Sequence, residues 1–140
     1  MAKEIKTSIL IQAPKEQVWQ VLMDFEAYPY WNNFVQSVHG TIAPGNQITV
    51  KLPGMTFKPR ILKLEVHKEF KWLGHLWFRG IFDGEHRFAL ESEGPNQTRF
   101  IHSEKFKGAL ASLMLLLIGK DTQKGFEEMN QALKQRVENL

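Results

Sequence analysis

Residues 98–137 read TRFIHSEKFKGALASLMLLLIGKDTQKGFEEMNQALKQRV, and the hydrophobic period changes within them. Up to Lys107 the period is two: Thr98, Phe100, His102, Glu104 and Phe106 alternate with Arg99, Ser103, Lys105 and Lys107, the pattern of a half-buried strand. From Ala109 onward that alternation is gone. Phe126, Met129, Leu133 and Val137 step at helical intervals, with Glu127, Glu128, Lys134 and Gln135 on the other side. Gly119 and Gly125 disfavour a helix. The helix is therefore expected either to kink there or to begin near Asp121, a suitable N-cap.

The preceding segments carry the same two-residue period. Phe82, His86, Phe88 and Leu90 alternate with Asp83, Glu85, Arg87 and Glu91. Leu62, Leu64 and Val66 alternate with Lys63 and Glu65, and Ile48, Val50 and Leu52 with Thr49 and Lys51. The stretch 70–78 has apolar residues on both parities. Pro44-Gly45-Asn46 and Gly94-Pro95-Asn96 read as hairpin turns. Ile5, Ile9 and Ile11 predict a first strand over residues 3–12. Pro14 stands where a first helical residue would, and Val18, Val21 and Leu22 give a short helix ending near Asp24. A second short helical element follows, with Pro29 near its start. The whole reads as one α+β domain over residues 1–140. A first strand and two short helices lead into a curved antiparallel meander, which a long C-terminal helix closes.

Composition narrows the function. A chain of 140 residues can bury a sizeable core without staples. With no cysteine there is neither a disulfide nor thiolate chemistry. The N-terminus lacks a secretory apolar region, and the longest apolar run, residues 113–118, is too short to span a bilayer. A cytoplasmic protein without a transmembrane segment is expected. The net charge is +3, but Lys3, Lys6, Lys51, Lys58, Arg60, Lys63, Lys68, Lys71, Lys105 and Lys107 are scattered, so no nucleic-acid partner is expected. There is no Gly-x-Ser-x-Gly elbow, no His-Glu-x-x-His helix and no phosphate-binding glycine loop. The five serines show no local partner pattern, which, with no cysteine, argues against a serine or cysteine hydrolase.

The inward positions of the sheet are large and aromatic: Phe82, Phe88, Phe100 and Phe106, with Trp31, Trp72 and Trp77 as additions. Aromatic walls with a few polar groups suit a ligand pocket, and a solid aromatic core has the same composition. The polar inward positions say more. A three-residue loop at Gly94-Pro95-Asn96 pairs Glu93 with Gln97. It thereby sets Leu90 opposite Phe100, Phe88 opposite His102 and His86 opposite Glu104, all on one face. The expectation is a His86–Glu104 cross-strand pair with His102 diagonal to it. Three readings of this cluster stand open: a self-satisfied buried polar pair, a polar anchor for a ligand, and catalysis or a two-His-one-carboxylate metal set. No tight ligand spacing supports the metal set. No metal, cofactor or catalytic residue is assigned.

The run Leu110-Ala111-Ser112-Leu113-Met114-Leu115-Leu116-Leu117-Ile118 is apolar nearly all round, more than a helix stripe requires. As a lid it would bring Leu113, Met114 and Leu117 to a ligand. As an outer surface it would serve a homodimer or a transient membrane contact. Burial under the loops is the plainer alternative.

The chain resembles the SRPBCC superfamily, also called START-like or Bet v 1-like, and within it the bacterial polyketide cyclase/dehydrase-type members. The carriers are Ile11-Gln12-Ala13-Pro14-Lys15-Glu16-Gln17-Val18-Trp19, then Asp24-Phe25, Tyr28-Pro29 and Trp31-Asn32. Phe82-Asp83-Gly84-Glu85-His86-Arg87-Phe88, Thr98-Arg99-Phe100, Glu104-Lys105-Phe106-Lys107-Gly108, Gly125-Phe126-Glu127-Glu128-Met129-Asn130 and Ala132-Leu133-Lys134 complete them. The resemblance implies the helix-grip fold, a curved seven-stranded antiparallel sheet around a long C-terminal helix with two short helices after strand 1. It also implies a deep hydrophobic cavity that takes a small hydrophobic molecule such as a lipid or aromatic metabolite. It transfers no single activity, because relatives include lipid carriers, hormone receptors, polyketide cyclases and co-chaperone domains. The functions it implies are binding or carriage, a cyclase or dehydratase using cavity His and Glu, or an interaction module.

Overall fold

The structure is a computed structural model that describes residues 3–76 and 78–140; the expectation for Trp77 lies outside the described residues. Strand β1 (Lys3–Ile11) leads to helix α1 (Lys15–Leu22), a 3-10 turn (Phe25–Ala27) and helix α2 (Tyr28–Trp31). Pro14 is the N-cap of α1, with extended backbone (φ −63°, ψ 151°), and not its first helical residue. Its carbonyl accepts from the Gln17 and Val18 amides and so starts the helix.

Seven strands follow: β2 (Ser37–His39), β3 (Thr49–Leu52), β4 (Met55–Phe57), β5 (Arg60–Glu65), β6 (Glu69–Leu76), β7 (Phe82–Gly94) and β8 (Gln97–Lys107). Helix α3 (Ala111–Glu138) ends the chain. The strand count corrects the expected seven. The described residues form eight strands, in a five-stranded sheet ordered β1-β8-β7-β6-β5 and a three-stranded sheet ordered β2-β3-β4. The extra strand comes from Pro53-Gly54, a two-residue turn between Leu52 and Met55 that needs the positive φ of Gly54 (78°). The two sheets meet at an isolated bridge between Gln47 and Arg60.

Parity also shifts in β5. A bulge between Ile61 and Lys63 breaks the register with β6. Ile61, not Leu62, is therefore the buried residue, and Leu62 and Val66 face solvent. At the β7–β8 turn the expected register holds although the turn differs. The last pair is Gly94 with Gln97, so only Pro95 and Asn96 form the loop, and a bulge at Glu93 restores Ser92 opposite Thr98.

Helix α3 runs unbroken through both glycines, which corrects the expected late start near Asp121. Leucine and methionine dominate residues 113–118 and are strong helix formers. The stripe Phe126, Met129, Asn130, Leu133 and Val137 is buried. Gly125 is there for space: a Cβ built on it would lie 2.5 Å from Cδ1 of the Phe34 ring. Apolar side chains gather in two clusters. The larger joins Ile11, Leu22, Tyr28, Val50, Phe70, Trp72, Phe88, Phe100 and Leu133, and the smaller is Phe82, Phe106 and Ala111.

Gly125→Ala should therefore destabilise the protein by about 1 kcal/mol or more, although a helical Gly→Ala exchange normally stabilises by about that amount. Denaturant unfolding of the two proteins measures this.

Candidate functional site

The two clusters are separated on β6 and β7 by a pair of glycines. On β6 the inward residues are Phe70, Trp72, Gly74 and Leu76. On β7 they are Phe88, His86, Gly84 and Phe82, paired with those of β6 in that order. Gly74 thus stands directly opposite Gly84. A Cβ on Gly74 would lie 3.0 Å from the Phe57 ring and one on Gly84 2.2 Å from Glu104 Oε2, so the two glycines make room for these wall groups. A pocket of about 480 Å³ lies beneath α3, within the usual size of small-molecule sites.

Its inner walls are Leu52 and Phe57 of the small sheet, Trp72 and Leu76 of β6, Phe82 and His86 of β7, Glu104 and Phe106 of β8, and Phe34. Ile118, Asp121, Thr122, Lys124, Gly125 and Glu128 line it from α3. Phe34 is held by the loop before it, where Asn32 Oδ1 accepts from the amides of Phe34 (3.0 Å) and Val35 (2.9 Å).

His86 and Glu104 are an apposed pair across β7 and β8, as the register expected. His86 Nδ1 lies 3.3 Å from Glu104 Oε1. Glu104 has room because Gly84 has no side chain: a Cβ there would lie 2.2 Å from Glu104 Oε2. Behind the wall, His86 Nε2 meets His102 Nε2 at 2.7 Å, and His102 Nδ1 meets Asn130 Oδ1 of α3 at 2.9 Å. Asn130 Nδ2 donates to Thr7 Oγ1 of β1 at 2.8 Å, and Thr7 Oγ1 donates to the His102 carbonyl at 2.9 Å. Five residues from four elements make one polar chain through an apolar core. Rings hold it in place, with Trp72 stacked on His86 (centroids 4.9 Å apart) and Phe126 on His102 (4.1 Å).

Of the residues expected at a ligand, Phe82, His86, Glu104 and Phe106 line the pocket. His102 lies behind His86 and is fully buried, and Phe88 and Phe100 stack face to face in the larger cluster. Trp31 packs on Tyr28 away from the pocket. Met114 packs on the Phe82–Phe106 cluster. Leu113 and Leu117 are half to two-thirds exposed, and of residues 110–118 only Ile118 reaches the pocket. Asn130, Thr7, Gly74 and Gly84 were not foreseen. Their signals were nevertheless present. Asn130 interrupts the apolar stripe of α3, Thr7 has the parity of Ile5 and Ile9, and Gly84 that of Phe82 and His86. Among the described residues no group of three or more His, Cys, Asp or Glu has the arrangement to hold a metal ion.

Burial, reinforced by neighbouring His86, pushes His102 well below the usual imidazole range, with its bonds to Asn130 and to the Phe126 backbone opposing. The folded protein thus refuses a proton that the unfolded chain takes below about pH 6.5. This contribution to stability is complete above that pH and is lost as the pH falls. Between pH 6.5 and 5.5 His102 should cost about 1 kcal/mol of unfolding free energy. Urea titrations of the wild type and His102→Gln should show a shallower pH slope in the variant.

No curated protein matches the sequence. Solved structures match over nearly the whole chain. A hypothetical protein of Helicobacter pylori has a TM-score of 0.82 at 12% identity, covering 96% of this chain and 88% of that one. The Zhui aromatase/cyclase of Streptomyces sp. R1128 has a TM-score of 0.75 at 14% identity, covering 99% and 94%. A START superfamily protein of Mycobacterium smegmatis has a TM-score of 0.71 at 20% identity, covering 97% of each. At such identities the likeness is one of fold. Residues 2–138 match the family described as "Polyketide cyclase / dehydrase and lipid transport". A match of that extent, on a helix-grip architecture with a pocket under its long helix, makes this chain a member of that family.

Proposed function

We propose that the protein binds a small, largely apolar molecule, a lipid or an aromatic, polyketide-like metabolite, with the ligand's polar end at His86 and Glu104. The pocket carries this reading. Leu52, Phe57, Trp72, Leu76, Phe82 and Phe106 offer it apolar surface, while Asp121, Lys124 and Glu128 are exposed at its mouth. The family description, which includes lipid transport, supports the same ligand class.

Native mass spectrometry with fatty acids, sterols and polycyclic aromatics should retain at least one class on the protein. Gly74→Val, whose side chain displaces the Phe57 ring of the pocket wall (a Cβ there would lie 3.0 Å from Cε2), should weaken that binding at least tenfold while the circular dichroism is unchanged. Failure of every class to bind overturns the reading.

The placing of His86 and Glu104 in the pocket wall favours a second reading, a cyclase or dehydratase in which they act as acid and base. Replacing either should abolish turnover of a polyketide-like substrate in a folded protein. Unchanged turnover in both variants removes the role.

We also propose that the apolar start of α3 is a contact surface for a second copy of the chain. Leu113, Leu116 and Leu117 are 50%, 82% and 66% exposed, which supports it. Sedimentation should show concentration-dependent association that Leu116→Glu removes. A wild type that stays monomeric and instead sediments with lipid vesicles would assign the surface to a membrane.

A further inference from the structure

The hydrogen bonds behind the pocket wall run in only one direction. The His102 carbonyl accepts and cannot donate, so Thr7 Oγ1 gives it the one hydroxyl proton. Thr7 then has only lone pairs for Asn130, which must present its Nδ2 to Oγ1. That sets the amide, and Asn130 Oδ1 faces His102 Nδ1. Nδ1 therefore carries a hydrogen. Burial keeps the His102 ring neutral, which leaves Nε2 as a bare acceptor. The donor across the 2.7 Å contact must be His86 Nε2.

With its Nε2 hydrogen committed there, His86 turns Nδ1 toward Glu104 Oε1. A bare Nδ1 facing an ionised carboxylate would set lone pair against lone pair. One proton in the 3.3 Å gap removes that repulsion. The second carboxylate oxygen, Oε2, lies over Gly84 in the pocket wall.

We propose that Glu104 and His86 form an acid–base site that holds one proton between Oε1 and Nδ1 and offers Oε2 to the acidic hydroxyl of a bound phenol or enol. His102, Asn130 and Thr7 are positioning residues that set this proton order from outside the pocket. The inference rests on the reading of the pocket as a ligand site. The ring-rich walls of Phe34, Phe57, Trp72, Phe82 and Phe106 favour a flat aromatic body. A carboxylate ligand would meet Glu104 with like charge. Binding places the ligand O–H against Oε2. Full transfer breaks that O–H and forms an Oε2–H, leaving a phenolate or enolate near the His86 imidazolium, with charge conserved and no co-reactant required.

Two measurements test this. In nitrogen-15 spectra of histidine-labelled protein, His102 should carry its hydrogen on Nδ1 alone and His86 should keep one on Nε2. Thr7→Val frees the Asn130 amide to turn over and should move the His102 hydrogen to Nε2, and Thr7→Ser should restore the wild-type order. A wild-type His102 protonated on Nε2 overturns the proposal; a Thr7→Val spectrum like that of the wild type removes Thr7 as a positioning residue and leaves the order to the Phe126 backbone, which also bonds the His102 ring. In the second measurement, 2-naphthol should bind at least tenfold more tightly than 2-methoxynaphthalene. Gly84→Ala, whose Cβ takes the place of Oε2, should bring the two within about twofold. Equal binding of both probes by the wild type overturns the hydroxyl preference while leaving the pocket reading intact. If neither probe binds, the ligand half of the proposal fails, while the pocket reading falls only if the fatty acids, sterols and polycyclic aromatics also fail, and the spectra still decide the proton order.

Discussion

The pairing of β7 with β8 sets His86 opposite Glu104, Phe88 opposite His102 and Leu90 opposite Phe100. A slip of one residue would turn the three side chains of one strand to the other face, exposing Phe88 and Leu90 or else Phe100 and leaving the polar groups without partners. The phenylalanines therefore enforce the register that the histidines need. Phe88 is stacked between Phe70 and Phe100, at centroid distances of 6.3 and 6.0 Å. That stack anchors one end of the sheet's inner face, and the Phe82–Phe106 stack, at 5.2 Å, anchors the other.

Between the stacks the Gly74–Gly84 layer is filled from other elements, by the Phe57 ring over Gly74 and the Glu104 carboxylate over Gly84. The pocket lies beside it, under a continuous helix. Gly125 matters for the same reason, since it lets the Phe34 ring approach the helix backbone and form part of the wall. Glycine thus shapes this site three times, each time by the absence of a Cβ where a larger group must lie.

The polar chain from Thr7 to Glu104 links β1, α3, β8 and β7. Each bond adds only about 1 kcal/mol net, whereas a buried partner left unpaired costs about 1 to 3 kcal/mol. Such a chain is retained whole or lost whole, and its value lies in orientation as much as in stability. It ties the seating of the helix to the proton arrangement at the pocket wall, so a change on the outer strand β1 reaches Glu104 without touching the pocket.

Periodicity determined the class of fold, the long helix and the order of the main strands, because these depend on which face each residue presents, and the turn at Gly94-Pro95-Asn96 added the His86–Glu104 pairing. It did not reveal the Pro53-Gly54 hairpin or the bulges at Leu62 and Glu93, where one residue of local backbone geometry changes the parity. Nor did it separate Phe82 and Phe106, which line the pocket, from Phe88 and Phe100, which fill the core, because all four share one face and one composition. Only the tertiary structure decided that Gly74 meets Gly84 and that Asn130 of the helix reaches His102 of the sheet. Both depend on how distant segments are set side by side, and a pattern read along one chain segment carries no such distance.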